Sequence, residues 1–156
     1  MSNNFLTVAL EAADKAAVIL RRGFQTVEKN IIVKDKSTGT LTDLVTKFDY
    51  ASQNAILKII SKNFPHHGIL SEEGVDRPSS SEYKWIIDPL DGTTNFSRGI
   101  PQFAVSIALM RGNRIILGVV ALPCEHEIYW ATEKISTHLN NRRVRVGKTR
   151  ELRSSL

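Results

Sequence analysis

One cysteine in 156 residues, Cys124, leaves no internal disulfide and no thiolate cluster. That excludes a disulfide scaffold and a Cys-based zinc site, and it accords with a reducing compartment. Among apolar neighbours the lone thiol reads as packing. No stretch approaches the roughly 20 consecutive apolar residues of a membrane-spanning helix. The N-terminus, Met-Ser-Asn-Asn-Phe-Leu, lacks the basic start and apolar block of a secretory signal, so a cytoplasmic protein without membrane contact is expected. His66, His67, His126 and His138 follow no ligand spacing and read as surface residues. Internal repeats and low-complexity blocks are missing too. What remains is a chain that is 42% hydrophobic, enough for one domain with a core and too short for two.

The formal net charge of +5 raises the question of a nucleic-acid partner. Residues 1–140 carry fifteen Lys or Arg against fifteen Asp or Glu, whereas 141–156 carry six (Arg142, Arg143, Arg145, Lys148, Arg150, Arg153) against Glu151 alone. The excess is therefore confined to the tail. It has no interleaved aromatics and no base-reading motif, so it reads as a solvated strand and a frayed end, and nucleic acid is not the expected partner.

Leu6, Leu10, Ala13, Ala17, Leu20 and Phe24 recur at three- and four-residue steps, which predicts an amphipathic helix starting near Ser2 or Asn3 and ending near Gly23. A β-branched run at 31–33 precedes a Lys-, Ser-, Thr- and Gly-rich stretch over 34–42 that reads as a mobile loop. A second helix is expected over about 49–62, with Ala51, Ile56, Ile59 and Ile60 inward and Phe64-Pro65 closing it. Strands are expected at 68–70, 85–88, 103–110, 115–122 and 128–131. Hairpin turns are expected at 111–114 and 123–127, and 75–82, with Pro78 and three serines, reads as an exposed connection. Two helices followed by a mostly antiparallel sheet make an α+β fold, or a layered α-β sandwich.

The residues that carry chemistry sit at element ends. Trp85-Ile-Ile-Asp-Pro-Leu-Asp-Gly-Thr-Thr-Asn-Phe96 is an apolar strand ending in Asp88, where Pro89 fixes φ and turns Asp91 toward the same point. Two converging carboxylates without a nearby Lys or Arg repel each other unless a hard divalent cation lies between them. Gly92 permits close backbone approach, and a helix starting at Thr93 would turn its free N–H groups toward an anion. The Asp-x-x-Asp-Gly pattern alone fits an Asp-rich turn capping a helix equally well. Glu72 and Glu73 also come directly after a strand. Adjacent carboxylates on an extended backbone point apart, so only one of them can join the aspartates. Asp43 and Asp49 flank the start of the second helix, where Asp49 fits a plain N-cap. The intervals of Asp88-Pro-Leu-Asp-Gly are not those of an EF-hand.

Together with Lys36 and Thr46, these residues resemble the inositol monophosphatase family of magnesium-dependent, lithium-sensitive phosphatases. The resemblance is carried by Asp43-Leu-Val-Thr-Lys-Phe-Asp49, Ser71-Glu-Glu-Gly74 and the block from Trp85 to Phe96, with support from Ala104-Val-Ser-Ile-Ala108 and Gly118-Val-Val120. It extends over essentially the whole chain. It implies a phosphomonoesterase that uses a metal-activated water on inositol monophosphate or a related small phosphate ester, works with Mg²⁺ and assembles as a homodimer. Glu72, Asp88 and the carbonyl of Leu90 would hold a first Mg²⁺, and Asp88 and Asp91 would share a second. Such a pair, roughly 4 Å apart, can clamp the attacking and leaving oxygens. The catalytic candidates are Glu72, Thr93 and Asp49, with Glu72 and Thr93 positioning and activating the water. Gly92, Thr93 and Thr94 would receive the phosphate. Asp49 also groups with Glu73 and Asp43 as supporting carboxylates in an outer shell or at a weaker third metal, and Lys36 fits the family's mobile-loop lysine.

The same resemblance marks departures. Family members are considerably longer, and their second half supplies a Trp-Asp motif and most of the substrate grip. Here neither Trp85 nor Trp130 is followed by Asp, and Glu133-Lys-Ile-Ser-Thr-His-Leu139 replaces a glycine-rich turn. The expected organisation is an N-terminal α+β domain over 1–146 and a basic tail over 147–156 that begins the second domain. The alternative is a truncated, weakly active or inactive metal-binding fragment whose exposed sheet edge pairs with another chain.

Overall fold

A computed structural model describes residues 2–26, 31–33, 44–151 and 153. Helix α1 (Ser2–Phe24) is rich in Ala and free of Pro, and its small side chains let it lie close to its neighbours. Val8, Ala9, Ala12, Ala13, Ala16, Ala17 and Leu20 are buried, while Leu6 and Leu10 flank that stripe and are half-buried. The helix ends at Phe24, next to the expected Gly23. A Cβ on Gly23 would lie 2.4 Å from the Phe48 ring, so this glycine also serves close packing.

Strands β1 (Ile31–Val33) and β2 (Leu44–Thr46) form a small antiparallel ladder. The loop expected over 34–42 lies outside the described residues. Helix α2 (Lys47–Asn63) starts two residues earlier than predicted, because Thr46 and not Asp49 is its N-cap. Ile56 and Ile60 point inward as expected and Ile59 is half-buried, but Ala51 is exposed.

The main sheet contains β3 (Gly68–Ser71), β4 (Val75–Arg77), β5 (Tyr83–Asp91), β6 (Ala104–Arg111), β7 (Arg114–Leu122), β8 (Glu127–Thr132), β9 (His138–Leu139) and β10 (Arg142–Arg143), in the order β10-β9-β8-β7-β6-β5-β3-β4. Helix α3 (Thr93–Arg98) interrupts the strands after β5. All pairings are antiparallel except β3 with β5. Strand β4 falls within the stretch read as a connection. Its Val-Asp-Arg has no alternation to mark it, and it exists as a strand because it pairs with β3 along the sheet edge. The expected hairpin at Gly112 forms, and φ of +56° there is the left-handed conformation that a tight two-residue loop requires.

Period-2 alternation sends Ile69, Trp85, Ile87, Val105, Ile107, Leu109, Leu117 and Val119 to the face covered by α1 and α2. Each large apolar side chain so buried stabilises the fold by about 1.5–3 kcal/mol. The opposite face carries Leu70, Ile86, Ala108 and Val120, and no described helix covers it; Leu70 is 40% and Val120 38% exposed. The layered α+β expectation therefore holds, with two helices packed on a mostly antiparallel sheet.

His67 corrects the reading of the histidines as surface residues. It is 9% exposed and stacks on Phe64 at 4.8 Å and on Tyr83 at 4.9 Å. Its Nδ1 accepts the Trp85 indole N–H at 3.1 Å, and its backbone carbonyl accepts from Arg77 at 3.0 Å. Burial, followed by the charges of Arg77 and His66, lowers its pKa. No helix among the described residues is long and apolar enough to cross a membrane.

Candidate active site

The parallel pairing of β3 with β5 sets Ser71 beside Ile87, and one residue further along each strand come Glu72 and Asp88. The Glu72 N–H still reaches the Ile87 carbonyl at 3.1 Å, and Gly74, at φ +85°, closes the turn onto Ser71. Beyond Asp88 the ladder to β6 is irregular, with regular pairing resuming at Asp91 opposite Ala104. Pro89 sits inside that irregularity, where a missing N–H costs no ladder bond. The Leu90 N–H turns back to Asp88 Oδ1 at 3.1 Å.

The carboxyl groups of Glu72 and Asp88 meet directly. Burial, the hydrogen bond shared with Glu72, and the charges of Glu72 and Asp91 push Asp88 up to about 7, against a lowering contribution from the Leu90 N–H. No Lys or Arg among the described residues forms an ion pair with Glu72, Asp88 or Asp91; Lys84, Arg111, Arg114 and Arg153 pair with Asp76, Glu82, Glu133 and Glu151 instead. Among the described residues no three of His, Cys, Asp or Glu stand close enough together to hold a metal. Glu72 and Asp88 share a hydrogen bond, and Asp91, exposed at the end of β5, acts on Asp88 through its charge. The donor set nevertheless fits a hard cation: it is all oxygen, and burial and neighbouring carboxylates disfavour the Asp88 anion that a divalent ion would stabilise.

Gly92 comes next with φ +89°, and a Cβ there would lie 3.1 Å from the Gln102 carbonyl, so both conformation and space demand glycine. Helix α3 begins at Thr93 and is anchored by Phe96, which is fully buried against Phe24, Phe48 and Phe103 at centroid distances of 5.8, 5.6 and 5.0 Å. Thr93 Oγ1 lies 3.1 Å from Asp49 Oδ1 and 3.1 Å from the Leu90 carbonyl, and its single hydroxyl proton can serve either. Thr94 is exposed beside it.

Asp49, at the third position of α2, binds in two directions. Its Oδ2 accepts from the Thr46 N–H at 2.7 Å and from the Thr46 hydroxyl at 2.6 Å, while Oδ1 faces Thr93. Thr46 in turn accepts from the Phe48 N–H at 3.1 Å, which completes a capping box. Burial raises the pKa of Asp49, and the bonds from Thr46 and Thr93 oppose the rise.

Of the residues predicted from sequence, Glu72, Asp88, Leu90, Asp91, Gly92, Thr93, Thr94 and Asp49 thus lie on four neighbouring segments. Glu73 is half-buried beside Glu72. Lys36 and Asp43 lie outside the described residues. A groove of ≈ 390 Å³ runs from Glu72 and Asp88 over Leu70, Ile86, Ser106 and Ala108 on the uncovered sheet face. Another hollow, of ≈ 200 Å³ between Phe5, Tyr83, Ile116 and Ile135, sits toward the other end of β5 and carries none of these residues. Ser52 and Gln53 were not singled out from sequence. Their signal was two polar residues at positions where an amphipathic helix should be apolar.

The model of the inositol monophosphatase family matches residues 1–156. The chain belongs to that family. It is 39% identical over 151 residues to the protein named Nus factor SuhB of Pasteurella multocida, covering 96% of this chain and 55% of the relative. To the inositol-1-monophosphatase of Mesorhizobium japonicum it is 42% identical over 142 residues, covering 90% of this chain and 52% of the relative. The crystal structure of the extragenic suppressor protein suhB from Bartonella henselae superposes with a TM-score of 0.88 at 36% identity, over 96% of this chain and 57% of that one. The chain therefore spans little more than half the length of these relatives.

Proposed function

We propose that the chain is a Mg²⁺-dependent phosphomonoesterase that hydrolyses inositol monophosphate or a related small phosphate ester. The observation that carries this reading is the meeting of Glu72 and Asp88 at two parallel strand exits with no ion pair from a Lys or Arg among the described residues. Glu72, Asp88 and the Leu90 carbonyl would hold one Mg²⁺, and Asp88 with Asp91 a second. Bound there, Mg²⁺ would polarise the phosphoryl oxygens and lower the pKa of the attacking water. Glu72 accepts a proton from that water. Thr93, whose own proton is committed to Asp49 or to the Leu90 carbonyl, keeps lone pairs free to orient the same water. The water oxygen bonds to phosphorus, the ester P–O bond breaks, and the sugar or inositol oxygen leaves with a proton as the alcohol. Gly92 and Thr93 N–H groups receive the phosphate, with Thr94 alongside. Glu73, Asp43 and Lys36 take supporting parts. Residues 1–146 form the N-terminal unit, and 147–156 begin the second domain of longer relatives. A homodimer in the cytoplasm belongs to the same reading, with the solution mass checking the assembly.

The test is phosphate release from inositol monophosphate by the 156-residue chain in Mg²⁺, with and without Li⁺, beside Asp91→Asn. Turnover that needs Mg²⁺, falls with Li⁺ and vanishes in the variant supports the reading; no turnover refutes it for this chain. A second reading, a metal-binding or interaction fragment with little or no activity, is favoured by the span of little more than half of each relative and by the absence of a third converging carboxylate among the described residues. Divalent-ion binding without turnover would select it.

A further inference from the structure

Helix α2 reaches every segment that builds the site. Asp49, Ser52 and Gln53 stand three and four residues apart, on one helix face, and are 0%, 0% and 4% exposed. Thr93 at the start of α3 donates to Asp49. Ser52 Oγ donates to the Pro89 carbonyl at 2.7 Å, which is the peptide between Asp88 and Leu90. Ser71, the residue before Glu72, donates from its Oγ to Gln53 Oε1 at 2.5 Å. One helical face thus ties down three segments that lie 44, 37 and 18 residues away in sequence.

The core does not require this. Further along the same face come Ile56 and Ile60, both fully buried, so the face is polar only where it underlies the site. Buried polar side chains cost free energy that apolar ones would not, and two or three in a row need a reason beyond packing. The paired register of β3 with β5 ends at Ser71 and Ile87, with the Glu72 N–H to the Ile87 carbonyl as its last backbone bond, and the ladder from β5 to β6 is irregular from Asp88 to Asp91. At the last ladder residue of β3 and at the irregular Pro89, Gln53 and Ser52 add side-chain anchors to the backbone.

We propose that Gln53 and Ser52 are positioning residues. Gln53 fixes the exit of β3 and Ser52 the Pro89 bend, so that Glu72 and Asp88 can grip one divalent cation together. The inference rests on the metal-site reading above and adds to it the side chains that hold the site in shape.

The measurement is calorimetric titration of the metal-free 156-residue chain with Mn²⁺ alone, alongside thermal unfolding without metal. Gln53→Met combined with Ser71→Ala removes the acceptor and the donor of that bond together and should keep the metal-free unfolding temperature near that of the parent. Its Mn²⁺ dissociation constant should rise about tenfold, the scale seen when an outer-shell partner is lost. Gln53→Glu keeps an acceptor for Ser71 and should retain most of the parent's affinity. A double variant that is folded and binds Mn²⁺ like the parent overturns the positioning role and leaves the metal site standing. A parent that binds Mn²⁺ no better than Asp88→Asn overturns both. Should the double variant fail to fold, Ser52→Ala, which deletes one hydroxyl, decides in the same way: weakened Mn²⁺ binding supports the proposal and unchanged binding refutes it.

Discussion

Replacing Asp49 separates what this buried carboxylate does for folding from what it does for the site. Asp49→Ala strips the acceptor from the Thr46 N–H at 2.7 Å, from the Thr46 hydroxyl at 2.6 Å and from Thr93 at 3.1 Å. Thr46 is itself fully buried, so its two donors lose their partner without gaining water. Each orphaned donor costs about 1–3 kcal/mol, and relief from burying a carboxylate offsets part of that. The net loss is about 2–4 kcal/mol, which in a domain of this size lowers the unfolding temperature by roughly 6–12 °C. Asp49→Asn keeps one oxygen for Thr46 and turns its amide toward Thr93, whose hydroxyl oxygen can accept. It should stay within about 1 kcal/mol of the parent. Phosphate release should nevertheless fall, because Thr93 can then donate only to the Leu90 carbonyl. Thermal unfolding tracked by circular dichroism, beside the phosphate assay, checks both. An Asn variant as unstable as the Ala one, or an Ala variant that loses less than about 1 kcal/mol, would refute the dual role.

Asp88→Asn should stabilise the metal-free chain at pH 8 by about 1–2 kcal/mol, since it removes a carboxylate that burial, Glu72 and Asp91 disfavour as an anion. With a folded pKa near 7, above the unfolded value, the parent should gain stability as pH falls through 7; Asp88→Asn should lack that gain, and urea midpoints at pH 8 and 6 read the difference. His67 works in the opposite direction. Its folded pKa lies below the ordinary value of 6.5, so its contribution is intact above 6.5 and is lost as pH falls further, with Trp85 fluorescence tracking the loss; a His67→Gln variant should flatten that part of the profile. Gly23→Ala should destabilise by about 1–2 kcal/mol, because displacing the Phe48 ring outweighs Ala's roughly 1 kcal/mol advantage in a helix. A rise in unfolding temperature would refute that close contact.

The sheet face that no described helix covers leads to the candidate site. Leu70, Ile86, Ala108 and Val120 form an apolar strip that leads to Glu72 and Asp88, and in this chain it borders an open groove instead of a closed pocket. Catalytic sites gain electrostatic strength by excluding water. On the proposed phosphatase reading, water admitted by this open groove would weaken the electrostatics of the site, so phosphate release by this chain should be slow.

Much of this protein could be read locally. The alternation in Trp85 to Asp88 and in β6 and β7, the Gly112 turn and the block from Asp88 to Phe96 are short-range signals, because strand period, turn conformation and motif spacing are properties of neighbouring residues. They sufficed for the fold class and for the carboxylates at the strand exits. Contacts far apart in the chain were decided only in three dimensions. Val75 to Arg77 became a strand because β3 offered an edge, and His67 was buried because Phe64, Tyr83 and Trp85 closed around it. Asp49 became the partner of Thr93, 44 residues away, once Thr46 had taken the cap. Ser52 and Gln53 look like defects in an amphipathic pattern until the Pro89 carbonyl and Ser71 are beside them. A buried polar side chain is explained by its partner, and only the folded chain supplies the partner.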